Sequence, residues 1–205
     1  MGITIDTYPT APIQNYEILR SQIRSGDILL CSGNAFFSHL IQKTTNSVWS
    51  HIAFILRLDI IDRIMVLESV ESIGVRTVPL SSYAHNYNGT GKGYPGRILL
   101  ARHSQFDPTK IANLSKTAVD LLGYPYDKEE ILRIANRIIT KGSGLNLPSE
   151  GLDEDQAYIC SEYAYKCFES VGVHIEHNSE GFVTPADFAR CAFINAVSFI
   201  KTDPV

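Results

Sequence analysis

The sequence predicts an α+β domain built on an antiparallel sheet. Three observations lead there. Short apolar segments with strand character crowd the first half, helical spacing dominates the middle of the second half, and one more strand pattern closes the chain. With 205 residues, 44% of them hydrophobic and 20% charged, the chain is long enough for a sizeable core. It contains no internal repeat and no linker rich enough to divide it, so residues 1–205 are expected to form a single domain.

Within that domain, residues 1–24 form an N-terminal segment, with a helix expected near residues 13–23 and packed on the rest. "SGDILLCSG" is a turn leading into a short strand, and "NAFFSHLIQKTTN" carries apolar residues at helical spacing. Strands follow at "HIAFIL", "IMVLES", "GVRTVP" and "RILLAR". Between the last two, "SSYAHNYNGTGKGYPG" is dense in turn formers and reads as a long irregular loop. A plain surface loop is its first meaning and a substrate-facing loop its second. Asp107 and Pro108 start a helix running to Leu122 and closed by Gly123. Asp127 and Glu130 open another, through "ILRIANRII", before the loop "TKGSGLNLPSEGLDEDQ". "CSEYAYKCFESVG" is a helix ended by Gly172, "TPADFARC" one more helical turn, and "AFINAVSFI" the final strand.

Charge and motif content narrow the function. A net charge of -4 and a pI near 5.8 provide no basic field for nucleic acid. No apolar run reaches membrane-spanning length, so no integral membrane segment is expected. The N-terminus lacks the basic start and apolar core of a secretory signal, and Asp6 stands where a myristoylation motif wants Ser or Thr. A cytoplasmic location is therefore expected. The four cysteines show neither CxxC pairing nor zinc spacing, so reduced thiols are the default and neither metal nor organic cofactor is called for. Oligomeric state is not specified by any of these features.

One residue is out of place. His51 opens a strand, "HIAFIL", that is apolar on both faces. If the turn to the next strand is centred on Asp59–Ile60, facing residues have numbers summing to 119, which sets His51 opposite Glu68. Such a pair shares one face, with Cβ atoms about 4.5–5.5 Å apart. A slip of two residues keeps them on that face as diagonal neighbours, whereas a slip of one separates them. A carboxylate beside an imidazole fixes its tautomer and stabilises its charged form. By itself the pair reads first as a structural ion pair at a sheet edge.

The second signal is Cys160, at the expected first turn of its helix, where free N–H groups and the helix dipole favour a thiolate and can stabilise an oxyanion. A small buried hydrophobe is the alternative meaning, and it is the one adopted for Cys31, Cys167 and Cys191. His85, His103, His174 and His177 match no ligand spacing and are given no role.

At these residues the chain resembles the circularly permuted branch of the NlpC-type papain-like cysteine peptidases, the YiiX/YebB/YaeF-like hydrolases. The patterns "SGDILL", "FSHLIQKTTNSVWSHIAFI", "VLES", "LGYPYD", "YICSEYAYKCFESVG" and "TPADFA" carry the likeness in order, from about Gly26 to Ala189. Ordinary members place Cys before His; here His51 and Glu68 precede Cys160, the order a permutation produces. The lecithin:retinol acyltransferase group, distant kin, shares that order but has Asn before the cysteine and Glu-His after it, where this chain has Ile159 and Ser161-Glu162.

The resemblance implies a permuted papain-like (NlpC-type) fold, with Cys160 as nucleophile, His51 as base and Glu68 as the third polar residue. It implies an oxyanion hole that includes the Cys160 backbone N–H, with a second donor that the sequence does not identify. A cysteine-dependent hydrolase of amide bonds in a small peptide-like substrate is the expected activity. Thioesterase, lipase or acyltransferase chemistry on an acyl substrate, or a non-catalytic binding module on the same fold, are the alternatives. Tyr83, Tyr87, Tyr124 and Tyr126 are candidate substrate-binding residues, and Tyr124, Tyr126 and Tyr158 candidate oxyanion donors.

Overall fold

The computed structural model describes residues 3–128, 158–177 and 182–202. These residues form a seven-stranded sheet from β1 (Ile13–Asn15), β2 (Ile28–Gly33), β3 (His51–Leu58), β4 (Arg63–Val70), β5 (Gly74–Pro79), β6 (Gly96–His103) and β7 (Ile194–Lys201). The spatial order is β1-β7-β6-β2-β3-β4-β5. All neighbours are antiparallel except β1, which runs parallel to β7. The helices are α1 (Tyr16–Leu19), α2 (Phe36–Thr45), α3 (Leu80–His85), α4 (Ile111–Asp120), α5 (Cys160–Glu169) and α6 (Pro185–Arg190).

The central strands are apolar throughout because both faces of the sheet are covered. Alternate side chains point to opposite faces. Leu30, Ile52, Phe54, Leu67 and Leu99 pack against α4 and α5 through Leu114, Ala118, Tyr163, Ala164 and Phe168. Leu29, Cys31, Ala53, Ile55, Val66 and Leu100 pack on the other side against Leu19, Ile23 and Tyr83. β2 is accordingly buried at all six positions. Among the described residues no helix is long and apolar enough to cross a membrane.

The N-terminal segment departs from its expected helix. Residues 13–15 extend along β7, pairing Ile13 with Phe199 and Asn15 with Lys201, and α1 is a single turn. The apolar spacing of Tyr16, Leu19 and Ile23 still buries all three, but a free sheet edge takes the backbone ahead of them. The loop expected over residues 81–96 likewise holds the short helix α3, whose Leu80, Tyr83 and Ala84 sit at helical spacing and are buried. Asp107 accepts a hydrogen bond from the Thr109 N–H at 2.9 Å, Pro108–Lys110 form a 3-10 turn, and α4 follows. Gly123 adopts a φ of 86°, as the closing glycine of that helix requires. The helix expected at "ILRIANRII" and the loop over residues 140–156 lie outside the described residues.

Gly74 fixes the β4–β5 hairpin. Its φ is 90°, and a Cβ there would lie 2.1 Å from the Tyr124 carbonyl oxygen, which accepts a hydrogen bond from the Val75 N–H at 2.9 Å. Gly74→Val is therefore expected to destabilise the protein by about 2 kcal/mol or more, read as a lowered denaturant midpoint at unchanged slope.

Candidate active site

The segment ahead of β3 anchors His51 before its side chain does anything. Asn46 ends α2 in the left-handed conformation, with φ 47°. Trp49 is fully buried, and its Nε1 donates to the Thr4 carbonyl at 3.0 Å. The Ser50 N–H donates to the Cys31 carbonyl at 2.9 Å, while the Ser50 hydroxyl accepts from the Gly33 N–H at 3.0 Å. His51 then pairs with Cys31 of β2. The residues "WSH" are thus one bolt: core anchor, backbone clamp, then the imidazole at the strand's open end.

His51 and Glu68 do meet, by the diagonal route. The β3–β4 pairs sum to 121, with Phe54 opposite Leu67 and Leu58 opposite Arg63. The connection is a 3-10 turn, Asp59–Ile61, followed by Asp62 at φ 52°, so its centre lies one residue beyond Asp59–Ile60. Moving the centre by one residue moves the register by two, which preserves the face. The His51 Nε2–Glu68 Oε2 distance is 2.7 Å, with the imidazole 15% exposed and the carboxylate wholly buried.

Two more groups hold that carboxylate. Arg76 stands directly opposite Glu68 in the β4–β5 ladder and donates from Nε to Oε1 at 2.8 Å. The Tyr83 hydroxyl, from α3, donates to Oε2. Sequence reasoning missed Arg76, although a signal was present: in the hairpin closed by Gly74, the one cationic residue of "GVRTVP" falls opposite Glu68. Tyr83 was expected to face substrate; it lies instead fully buried beneath Glu68.

Electrostatics follow from this packing. Burial works against charge on His51, yet the neighbouring Cys160 and Glu68, by charge and by hydrogen bonding, outweigh it and push its pKa from 6.5 to about 10. Burial also works to raise Glu68, and it is overcome by His51, Arg76 and Tyr83, which keep the carboxyl below its ordinary range. Burial, then the charge of Glu68, pushes the Tyr83 hydroxyl far up, so it stays a donor.

Cys160 is the first residue of α5 and 2% exposed. Two bonds locate this helix start. The Ser69 hydroxyl, next to Glu68, donates to the Tyr158 carbonyl at 2.6 Å, and the Ser161 hydroxyl donates to the Val183 carbonyl at 2.6 Å. Glu162 accepts from the Ile159 N–H at 3.2 Å. First-turn N–H groups have no partner within a helix, so the start of α5 at Cys160 is where backbone donors are available. Cys160 packs with the α4/α5 side of the sheet, whereas His51 alternates with the opposite face, so the two meet around the strand end.

Two concavities flank the pair. A cleft of about 380 Å³ is lined by Gly33, Ser50, His51, Tyr87, Tyr94 and Tyr126. Cys160 itself lines a narrower apolar slot, together with Leu40, Ile41, Tyr126, Ile159 and Pro185. Of the tyrosines singled out in the sequence, Tyr87 lines the cleft and Tyr126 lines both. The Tyr124 ring packs on that of Tyr158, whose hydroxyl accepts from Lys166 Nζ at 2.6 Å. Burial pushes the Cys167 thiol up to about 12, in keeping with a packing role. Among the described residues no three His, Cys, Asp or Glu side chains converge as metal ligands.

A titration of the His51 ring by NMR is expected to show a protonated imidazole at neutral pH with a midpoint about 10. Because that pKa is raised above the unfolded value, its stabilisation of the fold is complete below pH 6.5 and lost as pH rises through about 10. Glu68→Gln should lower the midpoint by on the order of one to two units.

The family described as "permuted papain-like amidase enzyme, YaeF/YiiX, C92 family" matches residues 22–182, more than half of the chain. Among solved structures, the crystal structure of the metalloprotein yiiX from Escherichia coli O157:H7 is similar. It is 20% identical, with a TM-score of 0.62 over 89% of this chain and 99% of that one, a likeness of fold. No curated protein matches. The chain belongs to the permuted papain-like amidase family, and with it to the papain-like amidase or peptidase-type hydrolases, on a permuted papain-like fold.

Proposed function

We propose that this member of the permuted papain-like amidases cleaves an amide bond in a small peptide-like substrate, with Cys160 as nucleophile, His51 as acid and base, and Glu68 as the residue that orients His51. The observation that carries this reading is the His51 Nε2–Glu68 Oε2 contact of 2.7 Å at the end of β3, with the Cys160 helix start close enough to shift the imidazole's pKa upward. With Nε2 engaged by Glu68, Nδ1 is the nitrogen left for proton exchange with Cys160. A thiolate–imidazolium pair is the reactive form.

The Cys160 thiolate attacks the carbonyl carbon, and the carbonyl π electrons move onto oxygen. The resulting oxyanion accepts a hydrogen bond from the Cys160 backbone N–H. As the carbonyl re-forms, the C–N bond breaks and the His51 imidazolium gives its proton to the departing amine, leaving an acyl thioester. Neutral His51 then takes a proton from water as its oxygen attacks the thioester. Collapse releases the carboxylic acid and restores thiolate and imidazolium. Burial of Glu68 keeps its charge unscreened and the ring fixed through both proton transfers. The similar yiiX structure is described as a metalloprotein; among the described residues of this chain no three His, Cys, Asp or Glu side chains form a group that would hold a metal.

The apolar lining of the slot at Cys160 is the observation behind a second reading, in which the enzyme acts as a thioesterase, lipase or acyltransferase on a lipid-like acyl group through the same three residues. A panel of peptide amides, aminoacyl amides and acyl esters separates the two. Preferred turnover of amides supports the first reading, and of acyl esters or thioesters the second. In either case Cys160→Ala is expected to lower kcat/KM by at least about a thousandfold. Turnover that survives Cys160→Ala contradicts both readings. A well-folded protein with no turnover and a Cys160 no more reactive than a free thiol would be a binding module.

A further inference from the structure

A wholly buried carboxylate that stays ionised beside a thiolate needs compensating positive charge. One imidazolium cannot supply it: Cys160 thiolate, His51 imidazolium and Glu68 carboxylate together carry one net negative charge. Arg76 stands opposite Glu68 in the β4–β5 ladder with its side chain 13% exposed, Nε at 2.8 Å from Glu68 Oε1 and Nη1 at 3.3 Å from Asn88 Oδ1.

We propose that Arg76 is a positioning residue acting through Glu68, the fourth member of an alternating array (Cys160 negative, His51 positive, Glu68 negative, Arg76 positive) whose zero net charge lets thiolate and carboxylate coexist away from water. This rests on the Cys160–His51–Glu68 reading above. It adds a specific role: Arg76 lowers the pH at which the reactive thiolate forms, from the far side of Glu68.

Among the described residues no other neighbour takes over that role. Cys31 on β2, Tyr83 on α3, and Tyr87 and Tyr94 in the connection to β6 are held neutral well into the alkaline range, burial being the main cause. Tyr126, on the Cys160 side, is neutral for the same reason. Glu71, just past β4, pairs with Lys128 at 3.4 Å, so the two charges offset each other. Glu162, on the first turn of α5, adds negative charge, and Asp127, which acts on Tyr126, has the same sign. Among the described residues the ion pairs of Glu68 are with His51 and Arg76.

The test is the pH dependence of Cys160 alkylation by iodoacetamide, followed by intact mass with Cys160→Ala as the background. In Arg76→Gln the acidic limb is expected to move up by on the order of one pH unit, while Arg76→Lys keeps most of the wild-type position. Arg76→Gln combined with Glu68→Gln restores neutrality, and its limb is expected to return toward wild type. Loss of packing alone would not be rescued by removing a second charge. Should Arg76→Gln not fold, the double variant compared with Glu68→Gln reads the same upward shift. A limb unmoved by removal of Arg76 in a reactive wild-type protein overturns the role of Arg76 alone. A wild-type Cys160 no more reactive than a free thiol overturns the three-residue reading and this role together.

Discussion

Glu68 is a carboxylate with no access to water, ionised at the end of an apolar strand, and much of the local structure answers to that one demand. Its donors come from three different elements: His51 from β3, Arg76 from β5 and Tyr83 from α3. Each has to arrive in register. A one-residue slip of β3 would turn His51 to the other face, and a similar slip of β5 would remove Arg76. The turn after β3, the left-handed Gly74 and the short helix α3 that buries Tyr83 all deliver those donors. Removing any one of them leaves a buried charge underpaired, which costs far more than the lost contact itself.

The permuted chain order gives the site a particular construction. Histidine and carboxylate arrive early, on neighbouring strands of one sheet, and the cysteine arrives late, on a helix that packs against the opposite face. The two halves join where the strands end. Ser69, adjacent to Glu68, ties its hydroxyl to the carbonyl of Tyr158, two residues before Cys160. That bond couples the position of the helix start to the position of the carboxylate. A cysteine on the first turn and a histidine on the first residue of a strand both sit at the ends of rigid elements, which fix their placement.

What could be read from sequence followed the strength of local patterning. The five strands from β2 to β6 and the final β7 are apolar runs bounded by turn residues, so they were legible, as was the helix beginning at Cys160. The His51–Glu68 contact was legible only through parity. The assumed turn was off by one residue, yet a two-residue register change leaves side chains on the same face, so the pairing survived as a diagonal. β1 was not legible because its pairing is with β7, nearly the whole chain away, and nothing in "IQN" signals a strand. Arg76 was missed, and Tyr83 was given to the substrate instead of to Glu68, for a related reason: a buried donor is defined by what it faces. A tyrosine in a Gly- and Asn-rich stretch looks like a loop residue until α3 turns it inward.

In the proposed function, Cys160 and His51 form a thiolate–imidazolium pair held by an ionised Glu68. Its most direct test is the ultraviolet thiolate absorbance of the wild-type protein minus that of Cys160→Ala, recorded against pH and repeated in the His51→Ala background. The expected result is a thiolate band already present at neutral pH and absent there when His51 is removed. A difference spectrum that appears only in the alkaline range of an ordinary thiol, with or without His51, would contradict it.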